Sequence, residues 1–477
     1  MSSATELAQP PPPPSRPRSS RTLVDWNIED KTFWEATGKR IANRNLWISI
    51  PALLLSFAVW MVWSVVVVRL PEVGFKFTTD QLFWLAALPG LSGATLRIFY
   101  SFMVPIVGGR MWTVLSTASL LLPAVGMGLA VQSPDTSYGT MLALALLCGF
   151  GGGNFASSMA NISFFFPRER KGTALGLNAG LGNLGVSVMQ FAVPLVITAG
   201  VFGALGGGPQ RVTRPGGGLL WLQNAGFIWV PFILACVVAA FLGMNDVASA
   251  KASFREQAVI FGRKHNWIMC WLYIGTFGSF IGYSAGLPLL IKSQFPGVDP
   301  VRYAFLGPLV GALIRPVGGW LSDKLGGARV TFWDFLAMAA AAGGVLAFLP
   351  RGGDPGNFPA FLGMFLLLFL TSGIGNGSTF RMIPVMFATF HERRSAGLGP
   401  AEKEQAKKDA AKESAAVIGF SSAVAAYGAF FIPRAFGISM KATGSPAAAF
   451  LGFIAVYVSC LALTWWFYSR RKAEMPC

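Results

Sequence analysis

The stretch Leu91-Ser92-Gly93-Ala94-Thr95-Leu96-Arg97-Ile98-Phe99 lies in an apolar run, from about Gln81 to Val107, in which Arg97 is the only charge. An α-helix needs about 20 apolar residues to cross a bilayer, so this run predicts a membrane-spanning helix. An arginine at the centre of such a helix costs on the order of 2.5–3.5 kcal/mol or more and normally faces a cavity or a partner. Arg97 therefore marks a candidate substrate path.

The same arrangement recurs in the second half of the chain. Val310-Gly311-Ala312-Leu313-Ile314-Arg315 stands in another apolar run, so that Gly-Ala-x-x-Arg occurs twice. Two further motifs, Gly151-x-Gly153-Asn154 and Gly373-x-Gly375-Asn376, follow in the same order at nearly the same separation. This order predicts an internal duplication, with Arg97 and Arg315 at equivalent places in the two halves.

The composition of the 477 residues is typical of an integral membrane protein. Hydrophobic residues make up 53% of the chain and charged residues only 12%, whereas a soluble domain carries about 25% charged residues. The net charge of +17 does not indicate a nucleic-acid partner, because the basic residues concentrate in loops on the side of the N-terminus. This bias predicts that both termini are cytoplasmic. The five cysteines lack CxxC spacing and histidine neighbours, so neither a metal site nor a cofactor is predicted.

Twelve apolar runs are long enough to span a membrane. We therefore predict an all-α membrane protein of about twelve transmembrane helices in two six-helix halves. The runs cover approximately 46–69, 80–107, 112–131, 139–166, 172–201, 222–246, 267–292, 302–321, 329–349, 358–390, 413–438 and 446–469. The expected divisions are a cytoplasmic N-terminal tail that includes an interfacial segment from Trp26 to Asn45 (1–45), an N-terminal half (46–248), a cytoplasmic linker (249–266), a C-terminal half (267–469) and a cytoplasmic tail (470–477).

The loop between the eighth and ninth spans carries a recognisable motif. Gly318-Gly319-Trp320-Leu321-Ser322-Asp323-Lys324-Leu325-Gly326-Gly327 resembles the cytoplasmic loop motif of the major facilitator superfamily, and Gly108-Gly109-Arg110 looks like a shortened counterpart in the first half. Six spans plus six in parallel repeats is the architecture of that superfamily, with the substrate site at the midplane between the halves. The loop 391–412 is expected to be charged and partly helical.

The two arginines suit a small anion. A guanidinium is planar, permanently charged and forked, so it can hold a planar oxyanion through paired hydrogen bonds. The alternative is that each arginine satisfies backbone carbonyls or pairs with a buried acid. The spans contain almost no acids, and Asp246 and Asp334 are expected near cytoplasmic ends. The neutralising charge is therefore expected to be the substrate.

Other polar residues of the spans are weaker candidates. Asn154, Asn178 and Asn183 can bond across helices or to a substrate, and the structural role is the commoner one for membrane asparagines. Arg381 lies towards the cytoplasmic end of the tenth span, where it either reaches the membrane surface or lines an exit.

Two segments resemble a particular family. Gly153-Asn154-Phe155-Ala156-Ser157-Ser158-Met159-Ala160-Asn161-Ile162-Ser163-Phe164-Phe165-Phe166-Pro167 resembles the signature of the nitrate/nitrite porter family, and Gly375-Asn376-Gly377-Ser378-Thr379-Phe380 resembles its second copy. The resemblance extends from about Trp26 to the last span and is close to the bacterial NarK-type carriers. It implies an anion held by Arg97 and Arg315, aromatic rings of Phe155 and Phe277 on either side, and polar residues Asn183 and Tyr273 lining the site. Asn154, Asn178, Asn376 and Arg381 are weaker candidates for the same site. Arg381 stands where some relatives carry glutamine, so no role is assumed for it.

The resemblance predicts a transporter of nitrate and nitrite for nitrate assimilation, acting as a monomer in the bilayer of the bacterial inner membrane. Arginine keeps its proton at working pH, and both histidines, His265 and His391, fall in cytoplasmic regions. With no proton carrier recognised in the spans, exchange of nitrate for nitrite is favoured over nitrate–proton symport. A membrane sensor that binds the anion without moving it is the alternative from another class. An enzyme is disfavoured, because the spans contain no nucleophile–base pair or cofactor motif.

Overall fold

The computed structural model of the chain describes residues 21–212, 217–248 and 258–477. Residues 1–20 of the predicted tail and 249–257 of the predicted linker lie outside the described residues. Twelve helices of the described ranges are long and apolar enough to cross a membrane, which confirms the predicted fold class. We number them α1 to α12: Lys31–Val73, Thr79–Tyr100, Gly109–Ala130, Tyr138–Ser163, Glu169–Val196, Asn224–Gly243, Lys264–Gln294, Pro300–Leu325, Gly327–Ala347, Phe358–Arg394, Pro400–Thr443 and Ala447–Ser469.

Helix α1 begins earlier than the apolar run that predicted it. Asp30 caps its N-terminus by accepting a hydrogen bond from the backbone N–H of Thr32 at 2.8 Å, so the helix starts at Lys31. Most of the predicted interfacial segment is therefore the first turns of α1. Trp26 precedes the helix, and its indole N–H donates to the carbonyl of Phe164 at the end of α4. This early part of the chain is thus packed against the first half.

The predicted loop 391–412 is largely helical, as expected. Helix α10 continues to Arg394 and α11 begins at Pro400, so only a short turn separates them. Proline at the first turn of α11 suits its missing N–H, which would have no partner inside a helix at that position.

The two halves repeat one packing pattern, which agrees with the predicted duplication. In the first half α2 packs on α4, α3 on α6 and α1 on α5, and in the second half α8 packs on α10, α9 on α12 and α7 on α11. The paired glycine motifs explain part of this symmetry. A Cβ added to Gly152 of α4 would lie 2.7 Å from Gly93 Cα of α2, and one added to Gly373 of α10 would lie 2.3 Å from the carbonyl oxygen of Gly311 of α8. Glycine permits the same close helix contact in both halves.

The halves meet mainly along three helix pairs, α1 with α7, α2 with α11, and α5 with α8, and α2 also contacts α7. Two short β-pairings lie outside the helix bundle. Strand β1 (Thr22–Leu23) runs parallel to β4 (Asp246–Val247), and β2 (Gln210–Arg211) runs antiparallel to β3 (Leu219–Leu220).

Charged residues close this boundary at the side opposite the termini. Within the part of the chain that the structure describes, three ion pairs join the halves there: Arg69 to Asp299 at 2.9 Å, Lys292 to Glu72 at 2.5 Å, and Arg434 to Asp80 at 2.8 Å. Each connects one residue of the first half with one of the second, and most of these side chains are largely buried. An opening on this side has to break all three pairs.

Candidate anion-binding site

Arg97 is completely buried at the boundary between the halves. Its Nε donates to the carbonyl oxygen of Gly152 at 3.0 Å, and its Nη1 donates to that of Ser422 at 3.1 Å. Gly152 belongs to α4 of the first half and Ser422 to α11 of the second. Nη2 has no hydrogen-bond partner among the described residues. The guanidinium is thus oriented by both halves and keeps one donor unused.

Close packing of α1, α2 and α4 sets the position of Arg97. A Cβ added to Gly152 would lie 2.7 Å from Gly93 Cα, so α2 and α4 touch backbone to backbone at this level. Trp60 of α1 fills the adjacent space, with its indole N–H donating to the carbonyl of Pro89 at 2.6 Å. The Cζ atom of Arg97 lies 5.2 Å from the centroid of the Trp60 ring, which is cation–π range.

Arg315 is the corresponding buried arginine of the second half, with 8% of its surface exposed. Its Nη2 donates to the Tyr273 hydroxyl at 3.1 Å, whereas its Nη1 has no partner within the described ranges. The Cζ atom lies 4.8 Å from the ring centroid of Phe380 on α10. In both arginines the guanidinium therefore lies over an aromatic ring, and one of its terminal nitrogens has no hydrogen-bond partner among the described residues.

Aromatic rings from both halves form a layer between the two arginines. Phe155 of α4 and Phe277 of α7 are nearly parallel, with centroids 6.4 Å apart and an interplanar angle of 26°. Tyr273 stacks on Phe277 at 5.4 Å and 12°. The Cζ atom of Arg97 lies 4.8 Å from the Phe155 centroid and 5.6 Å from that of Phe277. The structure thus brings together Arg97, Arg315, Phe155, Phe277 and Tyr273.

Phe277 lies in an irregular turn of α7. Residues Ile274–Gly278 form a π-helical turn, a geometry that occurs frequently at functional sites. Directly after it, α7 and α11 approach so closely that a Cβ added to Gly428 would lie 2.3 Å from the carbonyl oxygen of Gly278. The turn therefore presents Phe277 to Phe155 of the first half at a level where α7 and α11 are closely packed.

The four candidate asparagines divide into two groups. All four are buried, and each has a side-chain oxygen without a hydrogen-bond partner in the described part of the chain; the difference is that the amide groups of Asn154 and Asn178 donate hydrogen bonds to neighbouring helices, whereas those of Asn183 and Asn376 do not. Asn154 donates to a serine hydroxyl of α1 at 2.9 Å and lines a cavity of about 10 Å³ inside the first half, which is about the size of one water. Asn178 donates to a serine hydroxyl of α4 at 2.8 Å. Asn154 and Asn178 therefore link helices of the first half.

Arg381 lies outside the aromatic layer. Its side chain is about half exposed and forms an ion pair with Asp323, which is also exposed, near the end of α8 on the side of the termini. Arg381 is therefore accessible to solvent on that side, as both roles considered for it require.

Comparison with known proteins identifies the family. The model of the Major Facilitator Superfamily matches residues 7–190 and 48–399. The nitrate/nitrite transporter NarU of Escherichia coli strain K12 is 54% identical over 456 residues, which cover 95% of this chain and 98% of NarU. The chain belongs to the nitrate/nitrite porter family of the major facilitator superfamily.

Other relatives agree with this placement. The probable nitrate/nitrite antiporter NarK2 of Thermus thermophilus is 45% identical over 95% of this chain and 98% of its own length. A solved bacterial homologue of the human lysosomal transporter Spinster shares the fold, with a TM-score of 0.57 and 16% identity over 88% of this chain and 94% of that one. The curated relatives are transporters, which confirms that this porter is not an enzyme.

Three residues near the site were not singled out by the sequence. Trp60 and Phe380 lie over the two arginines, and Phe380 stands in the second copy of the family signature, which was the available signal. Asp334 corrects an interpretation. Its position in the sequence predicts a place near the cytoplasmic end of its span, but the structure buries it two turns inside α9. There it lies beside Thr276 and Gly375, which directly precede Phe277 and Asn376. The membrane interior is therefore not free of acids at the level of the site.

Proposed function

We propose that this porter carries nitrate and nitrite across a membrane, with the anion held between Arg97 and Arg315. The observation that carries this proposal is a pair of nitrogens without hydrogen-bond partners among the described residues, Arg97 Nη2 and Arg315 Nη1. Both guanidiniums are buried, they belong to opposite halves, and they lie beside the same aromatic layer. A flat oxyanion presents oxygens on more than one edge, so one ion can accept from both donors. The names of the close relatives supply nitrate and nitrite as the planar oxyanions.

Electrostatics support an anionic substrate. Neither Arg97 nor Arg315 forms an ion pair with an acid among the described residues, and a buried charge without compensation is costly. Two positive charges in one buried region repel each other, because the effective dielectric there is well below that of water. A bound anion offsets this repulsion, so the halves close more readily around a loaded site than around an empty one.

This asymmetry is the basis for exchange. In alternating access the halves rock around a fixed site, which faces one side of the membrane at a time. If the empty carrier crosses slowly and the loaded carrier crosses quickly, nitrate enters only as nitrite leaves. The second candidate is nitrate–proton symport, and the buried Asp334 is the specific observation in its favour.

The membrane placement completes the proposal. We take the side of the two termini as cytoplasmic, because basic residues concentrate there. One chain supplies both arginines and the whole aromatic layer, so a monomer suffices for transport. The halves 46–248 and 267–469 act as the two rocking units, joined by the linker 249–266. The host membrane is the bacterial inner membrane, where uptake of nitrate serves its assimilation.

A counterflow experiment tests exchange. Proteoliposomes loaded either with nitrite or with an inert buffer receive external nitrate, and nitrate entry and external pH are recorded together. Exchange predicts rapid entry only into nitrite-loaded vesicles at constant pH. Entry into both kinds, with protons following, establishes symport instead. Binding of nitrate without flux into either kind would support the sensor.

The ion pairs opposite the termini should hold that side closed. Arg69→Gln combined with Arg434→Gln removes two partly buried pairs, each worth about 1 kcal/mol. Because about 1.4 kcal/mol corresponds to a factor of ten, we expect the population open on that side to rise about 30-fold. Spin labels at the exposed positions Lys76 and Gly297, in a cysteine-free background, report the opening as a longer inter-label distance.

The matched control is Lys39→Gln, which removes an exposed ion pair within α1. It should leave the inter-label distance distribution unchanged, because that pair does not join the halves. An unchanged distribution in the double variant would show that other contacts keep this side closed.

A further inference from the structure

Asp334 is a buried acid that the transport scheme does not use. Its side chain lies in the middle of the second half, with 5% of the residue exposed, and neither carboxyl oxygen has a hydrogen-bond partner among the described residues. A Cβ added to Gly375 would lie 2.3 Å from Oδ2 of Asp334 and 2.5 Å from Thr276 Cγ2. The carboxyl group therefore presses against the backbone of α10 beside the side chain of Thr276.

Among the described residues, no cation faces this carboxyl group from the helices around it. Helix α9 packs on α10 and α12 and also contacts α8. From α12, the titratable neighbours are Tyr457, which lies within electrostatic range, and Cys460 one turn further along. The Tyr457 hydroxyl is already bonded to Ser279 at 2.8 Å, and it contacts the Tyr283 hydroxyl of α7 at 2.5 Å.

The other helices around Asp334 bring no charged group of the described ranges beside its carboxyl group. The described residues of α10 that face it are Gly375 and its neighbours, which are uncharged. On α9 itself the nearest charge is Arg329, which is exposed more than one turn away. Arg315 of α8 is connected to this region only indirectly. Its guanidinium donates to the Tyr273 hydroxyl, and Tyr273 lies three residues before Thr276 on α7.

These surroundings favour the neutral acid. An ionised carboxylate without a counter-ion or hydrogen bond in a protein interior is penalised by several kcal/mol, so such groups take up a proton or become hydrated. In the conformation described, both carboxyl oxygens of Asp334 are shielded from bulk solvent, so protonation avoids the penalty. In a conformation that admits water to α9, the carboxylate can be solvated and the proton released.

We propose that Asp334 is a proton-binding site whose occupancy is coupled to the conformational cycle of the porter. The carboxylate takes one proton from water before the second half packs as described, and it returns the proton to water when that packing loosens. Thr276 and Gly375 directly precede Phe277 and Asn376 in the chain, so a change at Asp334 acts on the two helices that carry these residues. The inference rests on the proposed transport function.

Linkage fixes the sign of the effect. A conformation that binds an extra proton is favoured as the pH falls, and it is lost as the pH rises above the range in which the group holds that proton. Transport that must pass through the described conformation therefore slows at high pH. For a single proton the slope approaches about tenfold per pH unit at most.

The test is the pH dependence of nitrate self-exchange. Isotopically labelled nitrate enters nitrate-loaded proteoliposomes that contain wild type, Asp334→Asn, or the control Asp135→Asn, which removes an exposed loop carboxylate. The amide of Asp334→Asn imitates the neutral acid. We expect rates of wild type and Asp135→Asn to fall with rising pH, and the rate of Asp334→Asn to stay within about twofold across the same range. A pH profile of Asp334→Asn that coincides with that of wild type would overturn the proposal.

Two further measurements test the proposal even if Asp334→Asn does not fold or does not transport nitrate. If Asp334→Asn does not fold, Asp334→Glu keeps the titratable group and should retain a pH profile with a displaced midpoint; a profile identical to wild type counts against Asp334. Infrared difference spectra of the porter should contain the carbonyl stretch of a protonated carboxylic acid that disappears in the asparagine variant. Its persistence there refutes protonation of Asp334 independently of transport. Absence of nitrate flux in wild type would refute the transport function itself.

Discussion

Arg97→Lys and Arg315→Lys should each reduce nitrate transport about 100-fold or more. Lysine keeps the charge but replaces a planar fork by a point charge, so the hydrogen bond directed at the anion is lost. A hydrogen bond to a charged group contributes about 1.5–3 kcal/mol, which corresponds to about 10–150-fold, and Arg97→Lys also loses bonds to Gly152 and Ser422. The measurement is the initial rate of labelled nitrate entry into nitrite-loaded proteoliposomes at equal protein content.

The control for this pair is Arg302→Lys, which changes an exposed arginine in the turn that begins α8. It should transport like wild type. Rates near wild type in either Arg97→Lys or Arg315→Lys would show that a positive charge alone suffices and that the anion is not held by the guanidinium forks.

Gly152→Val should abolish transport by destroying the support of Arg97. A Cβ at this position would lie 2.6 Å from Trp60 Cε2 and 2.7 Å from Gly93 Cα, and neither neighbour is the free end of a flexible side chain. Trp60 is fixed by its bond to the Pro89 carbonyl, so α2 and α4 must separate. Overpacking of this kind costs about 1–3 kcal/mol or more. We expect a lower melting temperature in detergent together with loss of flux.

Gly363→Val provides the matched comparison, because it adds the same side chain to a helix glycine with no atoms within 4 Å of its Cβ position. Its melting temperature and its rate of nitrate transport should both be close to those of wild type. If Gly152→Val melted and transported like Gly363→Val, the close contact of α2 and α4 would not be needed to position Arg97.

Much of the architecture follows from the sequence for simple physical reasons. A bilayer demands about 20 apolar residues per helix, so the number of spans can be read from apolar runs. Helix ends are harder, because they depend on caps and tertiary contacts. Asp30 starts α1 well before its apolar run, and the indole of Trp26 anchors the preceding segment to Phe164. Neither contact produces a signal in hydropathy.

The charged residues of the site could be predicted, because a single charge inside an apolar run is easy to recognise in a sequence. Arg97 and Arg315 stand alone in apolar runs, whereas the contribution of Phe155 and Phe277 came only from resemblance to the family. Asp334 illustrates the limit. Its distance from the end of an apolar run says nothing about which helices surround it, and only the packing of α9 against α10 and α12 shows that its carboxyl group has no partner among the described residues.

The most direct test of the central claim is an experimental structure of this porter with nitrate bound. The account predicts one planar ion beside the rings of Phe155 and Phe277, with oxygens about 2.7–2.9 Å from Arg97 Nη2 and Arg315 Nη1. Nitrate bound away from these two atoms, with Arg97 and Arg315 still bonded only to protein groups, would contradict it.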